Sequence, residues 1–365
     1  MLNALKIKYL NESLCLMPWV SSNISPKGDY NLCCLANIFL SNEGKPYNAE
    51  FHGVDEVRNC QFLKNIRITF LTGKYPPCCF NCWDKEKLNI KSKRIFTFDL
   101  VKNEVLKNLT EKTNPDGSIN PEDFPIVQYD VRLGNLCNSK CIMCSDVYSS
   151  LHANGKQHKW MDNFRDTKYY KDVRNKAKDI VEIYLTGGEP FINKHHWDFI
   201  DYLIESGESE HIALIYNSNG SIMKQKFIDK WRKFKRVLVL FSVDCIGEVF
   251  EKIRPPLKWK EVEKNIIFFD KQTYSQHTNI QGMFSPTVFS VNLLHMHEFG
   301  EWFLFRNFKN IKYFNTNILY SPPQYSIINK SHLYDKAYKL FEPFLDGPLF
   351  DFFDEILNYL IIKNK

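Results

Sequence analysis

Three cysteines stand within eight residues, Cys137, Cys141 and Cys144, in the run Cys-Asn-Ser-Lys-Cys-Ile-Met-Cys. Three thiolates on one short loop suit an iron–sulfur cluster in which one iron keeps no protein ligand. An open iron can take a ligand from solution, on the same logic that separates open catalytic zinc sites from closed structural ones. From the spacing alone, a zinc ion completed by a distant Cys or His is the alternative. A second motif is Thr186-Gly187-Gly188-Glu189-Pro190. Its two glycines let the backbone approach a ligand closely, and its carboxylate can meet an amino group, although such a run is also an ordinary tight turn.

Both motifs follow short β-rich apolar runs. Strands are expected near Ile126 to Leu133, Val181 to Thr186, His211 to Tyr216, Val237 to Val243, Thr278 to Phe284 and Ile311 to Thr316. Between them lie amphipathic stretches at His196 to Ser206, Ile222 to Phe234, Trp259 to Asp270 and Asn292 to Arg306. This alternation is the pattern of repeated βα units and a parallel sheet, which places active sites at the carboxyl ends of its strands. The six units either close partly into a barrel or lie open. Before Asn120 the pattern changes: a turn at Ser25 to Asp29 lies between two strand-like runs, and a helical stretch covers Val54 to Leu71. The Pro-, Gly- and Asn-rich segment Asn114 to Pro121 is the expected linker, and Pro322-Pro323 precedes a last helical pattern ending at Lys365. The expected domains are therefore 1–112, 122–320 and 321–365.

The chain of 365 residues is 44% hydrophobic and 25% charged, an ordinary globular composition that fits about two domains. It shows neither the apolar core of a secretory signal nor a run long enough to span a bilayer, so a cytoplasmic location without membrane partners is expected. In a reducing compartment, eleven clustered cysteines favour metal or cluster ligation over disulfides. The net charge of +6 is modest, and one basic run, Lys224 to Arg236, offers a phosphate-binding stripe. The preferred reading makes it the solvated face of a helix with Phe227, Ile228, Trp231 and Phe234 inward.

A second cysteine group comprises Cys15, Cys33, Cys34, Cys78, Cys79 and Cys82. A pair near the Ser25 turn together with Cys79-x2-Cys82 supplies four ligands, enough for a structural zinc or for a complete cluster, and the spacing leaves both open. Cys34 and Cys78 adjoin these ligands and are able to exchange with them. Cys60 lies in the helical stretch and reads as packing. His195-His196 and His295-x-His297 do not place two rings on one helix face, so they read as structural.

The Cys-x3-Cys-x2-Cys loop after the first strand and the Gly-Gly-Glu-Pro loop after the second resemble the radical S-adenosylmethionine superfamily, over roughly Pro125 to Tyr320. The resemblance implies a partial (β/α)6 barrel, α/β in class, with a small cysteine-rich α+β module before it and a helical tail after it. It implies that Cys137, Cys141 and Cys144 hold a [4Fe-4S] cluster whose free iron chelates the amino and carboxylate groups of S-adenosylmethionine. Gly187, Gly188 and Glu189 would line the amino side, and Asn219, Ser242 and Arg254 would contact ribose or carboxylate. Met143 replaces an aromatic residue often found before the third cysteine and would pack on adenine; Cys245 stands where relatives often have Gly and reads as a buried small hydrophobe. Cys15-x12-Gly28-x4-Cys33 is similar to the opening half of SPASM and twitch modules, here placed before the barrel. It implies an auxiliary [4Fe-4S] cluster on Cys15, Cys33, Cys79 and Cys82, with zinc as the alternative.

By the same resemblance, reductive cleavage of S-adenosylmethionine gives a 5′-deoxyadenosyl radical that abstracts hydrogen from a substrate. A peptide or protein side chain is the expected substrate and a sugar or nucleotide-linked small molecule the alternative, with flavodoxin or ferredoxin as electron donor. The rival class is a non-enzymatic, zinc-binding nucleic-acid protein. The Gly-Gly-Glu-Pro loop and the βα alternation favour the enzyme, and a nucleic-acid partner is not expected.

Overall fold

The computed structural model describes residues 13–36, 38–87, 90–158, 164–275, 278–328 and 330–361. Among these, eight strands make one sheet: β1 (Ser21–Ile24), β2 (Tyr30–Asn31), β3 (Gln128–Arg132), β4 (Glu182–Thr186), β5 (Ala213–Ser218), β6 (Arg236–Phe241), β7 (Ile280–Phe284) and β8 (Ile311–Phe314). Their order is β8-β7-β6-β5-β4-β3-β1-β2, an unclosed α/β sheet as a partial barrel requires. Each of the six strands expected from the sequence is present, and the helices Lys194–Glu205, Gln225–Trp231, Trp259–Thr273 and Met296–Arg306 alternate with them. Val237, Val239 and Phe241, which share one face of β6, are fully buried.

The first two strands depart from expectation. They extend the main sheet, with β1 parallel to β3 in the register Ser21 to Gln128, Ser22 to Tyr129 and Asn23 to Asp130, and β2 antiparallel to β1. Main-chain pairing joins them, and side-chain types do not reveal it. The chain divides into two compact units that interleave along the sequence. The first comprises Met1–Asn135, His158–Gly187 and Glu205–Leu214; the second comprises Leu136–Gln157, Gly188–Ile204 and Ile215–Lys365.

In the first unit, the helix Gln61–Leu71 carries Arg67, which is fully buried and donates to the carbonyls of Pro18, Arg58 and Gly117 at 2.8, 2.6 and 3.1 Å. The expected linker is therefore a packed turn. At Gly117 φ is +79°, and an added Cβ would lie 2.2 Å from the Lys64 carbonyl oxygen, so only glycine fits. In the second unit, Trp231 is buried against Phe191, Tyr216 and Phe227. Phe227, Ile228 and Phe234 are buried with it, so the apolar face of the basic run points inward as expected. Phe284 anchors a second aromatic group with Phe299, Trp302 and Phe314. The helix Phe350–Ile361 buries Phe353 against Phe341 and Phe344, while the last four residues of the expected tail, 362–365, lie outside the described residues. No described helix is long and apolar enough to cross a membrane.

Candidate functional site

The three cysteines of the first motif lie on the loop after β3, within the second unit. The loop's own backbone donors hold it in place. Lys140 N–H donates to the Pro255 carbonyl at 2.6 Å, and Ile142 N–H to the Ile253 carbonyl at 2.9 Å. Cys144 N–H returns to the Cys141 carbonyl at 2.9 Å. Ser149 and Ser150 brace the other side: the Ser149 hydroxyl donates to the Ser139 carbonyl at 2.7 Å, and Cys137 N–H to the Ser150 hydroxyl oxygen at 3.2 Å. Cys141 is buried, whereas Cys137 and Cys144 are half-buried. Burial pushes the Cys137 thiol up to about 12 and the Cys144 thiol up to about 11, and each is raised further by its cysteine neighbours. Such thiols become thiolates when a cation is bound, and this donor set fits a cluster that supplies the positive charge.

The Gly-Gly-Glu-Pro loop follows β4. Gly187 has φ +87°, and an added Cβ would stand 2.8 Å from the Arg132 Cβ and 3.1 Å from the Gly134 carbonyl oxygen. Glycine is required there on both counts. Gly188 N–H donates to the Tyr148 carbonyl at 3.2 Å, and Glu189 N–H to the Leu136 carbonyl at 2.8 Å, so this loop is tied to the cysteine loop within the second unit. The Glu189 carboxylate is 1% exposed and accepts from Asn219 N–H at 2.7 Å, Ser218 hydroxyl at 2.9 Å and Phe191 N–H at 3.1 Å. Burial pushes its pKa up to about 7, against the pull of those donors and of Arg254. The structure thus gives this carboxylate a bracing task between the ends of two strands, which the sequence did not suggest.

Of the other expected residues, Asn219 reaches the cysteine loop, its Nδ2 donating to Asn138 Oδ1 at 2.9 Å, and Asn138 Nδ2 in turn donates to Ser221 Oγ at 2.8 Å. Ser242 contributes a backbone N–H to the Ser218 carbonyl at 2.8 Å, and Met143 is half-buried beside Cys144. Arg254 lies with its Nε 2.7 Å from Asp244 Oδ2 and its Nη1 3.3 Å from Cys141 Sγ. Burial opposes its charge, but Asp244 and Cys141 outweigh burial and raise its pKa. Asp244 is fully buried and also accepts from Thr287 N–H at 2.8 Å. The pairing of Asp244 with Arg254 is not legible in the sequence, because a whole helix, Gly247–Ile253, separates the two. Cys245 is buried, as a small hydrophobe should be.

The second cysteine group lies in the first unit. Cys15, Cys33, Cys79 and Cys82 line one pocket together with Met17, Leu32, Trp83, Lys93 and Arg94. Burial raises the Cys15 and Cys82 thiols and pushes that of Cys33 up to about 12. Four thiols around one cavity with two cations at its wall fit a group that binds four thiolates and carries net negative charge. Cys34 is turned to Lys93, whose Nζ lies 3.1 Å from its sulfur, and Cys78 Sγ lies 4.0 Å from Cys79 Sγ. Among the described residues, no three Cys, His, Asp or Glu side chains are gathered as one metal ion requires. His196 is buried, and burial lowers its pKa to about 3, so it is a neutral ring packed on Trp197 and Tyr216.

Comparison with known families matches residues 131–281 to the model of the Radical SAM superfamily. Comparison with curated protein sequences finds no match. Among solved structures, native anSMEcpe with bound AdoMet is similar at a TM-score of 0.44 and 19% identity, over 61% of this chain and 63% of that one. Streptococcus suis SuiB bound to S-adenosylmethionine is similar at a TM-score of 0.44 and 12% identity, over 78% of this chain and 58% of that one. The methyltransferase TsrM from Kitasatospora setae, with cobalamin and a [4Fe-4S] cluster bound, is similar at a TM-score of 0.40 and 12% identity, over 57% of this chain and 38% of that one. The chain thus spans less than two-thirds of each of these structures. The matched stretch, residues 131–281, carries both the cysteine loop and the Gly-Gly-Glu-Pro loop, so the part of the chain that is similar to the Radical SAM superfamily is the part that holds the candidate site.

Proposed function

We propose that this enzyme cleaves S-adenosylmethionine reductively at a [4Fe-4S] cluster held by Cys137, Cys141 and Cys144, and acts on a peptide or protein side chain. The observation that carries the reading is the braced three-cysteine loop, with two thiols half-buried and one buried, inside the stretch that matches the family model. When bound, such a cluster would supply the electron for reductive cleavage of S-adenosylmethionine, whose 5′-deoxyadenosyl fragment would carry the radical that takes hydrogen from substrate.

The chain's own residues perform the remaining work. The backbone donors of Lys140 and Ile142 fix the loop, and Asn138 and Asn219 tie it to the end of β5. Gly187 lets the turn pack against Arg132 and Gly134, which a side chain would prevent. The carboxylate of Glu189 holds the Gly-Gly turn against Ser218 and Asn219, so that the turn's backbone is already ordered when ligand arrives. Asn219, Ser242 and Met143 are the further contacts assigned to the cofactor.

The auxiliary cluster belongs to the same proposal. Its ligands are Cys15, Cys33, Cys79 and Cys82, which share a cavity, while Cys34 faces Lys93. A closed set of four thiolates leaves no iron for substrate and suits electron transfer or structural support. The choice of a peptide substrate rests on the likeness of this cysteine pattern to auxiliary-cluster enzymes. In the test, anaerobic protein reduced with dithionite is incubated with S-adenosylmethionine. The wild type should release 5′-deoxyadenosine and the Cys137→Ala, Cys141→Ala, Cys144→Ala triple variant none; equal release from both would reject the assignment.

A further inference from the structure

Cys141, the middle cysteine of the loop, is gripped by one segment through both side chain and main chain. The carbonyl of Ile253 accepts from Ile142 N–H, that of Pro255 from Lys140 N–H, and that of Arg254 from the Ser139 hydroxyl at 3.4 Å. Segment 253–255 therefore runs alongside the loop on both flanks of Cys141. From its centre the Arg254 guanidinium reaches back, with Nη1 3.3 Å from Cys141 Sγ. The Ser139 hydroxyl oxygen lies 3.0 Å from the same sulfur.

The guanidinium has little freedom to do anything else. Its Nε is held at 2.7 Å by Asp244, a carboxylate with no exposed surface. Asp244 is fixed in turn by Thr287 N–H on its other oxygen, and its backbone carbonyl accepts from Asn292 Nδ2 at 2.7 Å. Arg254 is 8% exposed and Cys141 is 7% exposed, so water competes weakly for the contact. An N–H donor aimed at a ligand sulfur withdraws charge from it. In cluster proteins, hydrogen bonds to the sulfurs and local charge are among the levers that set reduction potential.

We infer that Arg254 is a positioning residue for the cluster: its guanidinium, aimed by Asp244, donates to the Cys141 sulfur, fixes that ligand and favours the reduced state of the group the loop holds. This role differs from a contact to cofactor carboxylate or ribose, and it rests on the cluster reading proposed above. Reduction adds negative charge beside a buried cation, so removing the cation makes reduction less favourable. A charge-assisted hydrogen bond in a buried site is the strong kind, and a loss of about tenfold in the reduction equilibrium is expected, which is about 59 mV for a one-electron couple.

The experiment is a potentiometric titration of the anaerobically reconstituted full chain without S-adenosylmethionine, with iron counted in every sample. The signal of this cluster is identified by its absence from the triple cysteine variant. Arg254→Met and Arg254→Gln should keep their iron and titrate at a more negative potential, with Arg254→Lys between them and wild type. If Arg254→Met loses its iron, Arg254→Gln is read in its place; if both lose it, Arg254→Lys must retain it. A wild-type potential in an iron-loaded Met or Gln variant overturns the inference, as does a Lys variant no nearer to wild type than Met. An unchanged potential together with weakened binding of S-adenosylmethionine would make Arg254 a cofactor ligand instead. A wild-type chain that takes up no iron on Cys137, Cys141 and Cys144 overturns the proposed function itself, and this inference with it.

Discussion

Replacing Glu189 by Gln should change the pH dependence of stability more than stability at any single pH. In the folded chain, burial pushes the Glu189 pKa up to about 7, from 4.5 for a free carboxyl. A folded-state value above the unfolded one means that the native state holds the proton more tightly. The stability this proton contributes is fully present below pH 4.5 and is lost as pH rises through about 7. At about 1.4 kcal/mol per pH unit, the loss across that window is about 3 kcal/mol. Gln cannot titrate, so its variant lacks this slope. It also places an amide N–H₂ against donors, since the carboxylate accepts from Asn219, Ser218 and Phe191. The mispairing leaves a buried donor without an acceptor and costs about 1–3 kcal/mol at all pH values. The assay is urea unfolding of both proteins between pH 4.5 and 8, followed by one probe. The stability difference, wild type minus variant, should be largest at the acid end and shrink by about 3 kcal/mol at the alkaline end. A difference that stays constant across the range would refute the reasoning, because Glu189 would then titrate alike in the folded and unfolded chains.

Gly187→Ala should destabilise by about 1–2 kcal/mol for its left-handed backbone alone, and further for the clash with Arg132 and Gly134, read as a fall in midpoint on thermal unfolding. Trp231→Ala should cost about 3–5 kcal/mol, since its ring is fully buried among Phe191, Tyr216 and Phe227, and urea titration would measure it. Cys79→Ala combined with Cys82→Ala, in protein still folded by circular dichroism, should keep uncoupled 5′-deoxyadenosine release while losing substrate product. Product at the wild-type rate would rule out an auxiliary role, and loss of cofactor cleavage would rule out the division of labour between the two cysteine groups.

The sheet was legible because its strands are short β-rich runs separated by amphipathic stretches, and all six expected strands are found within a few residues of their expected ends. The place of Ser21–Ile24 and Tyr30–Asn31 in this sheet is not legible, because runs this short carry no periodicity. What attaches β1 to β3 is a backbone ladder, and a ladder leaves no mark on residue types. At the site, local motifs were readable and long-range pairs were not. Cys137, Cys141, Cys144 and the Gly-Gly-Glu-Pro run announce themselves by spacing, whereas the pairing of Asp244 with Arg254 and the turning of Cys34 toward Lys93 depend on how distant segments meet. Glu189 shows the same limit differently. Its identity pointed to a ligand contact, but its three donors come from the end of β5 and from the turn it opens.

The metal content of the chain tests the two cluster assignments most directly. Anaerobically reconstituted wild-type protein should carry about eight irons, four for each cubane, and the Cys137→Ala, Cys141→Ala, Cys144→Ala variant about four. Zinc in place of iron on the Cys137 to Cys144 loop, or an iron count that the triple substitution leaves unchanged, would contradict it.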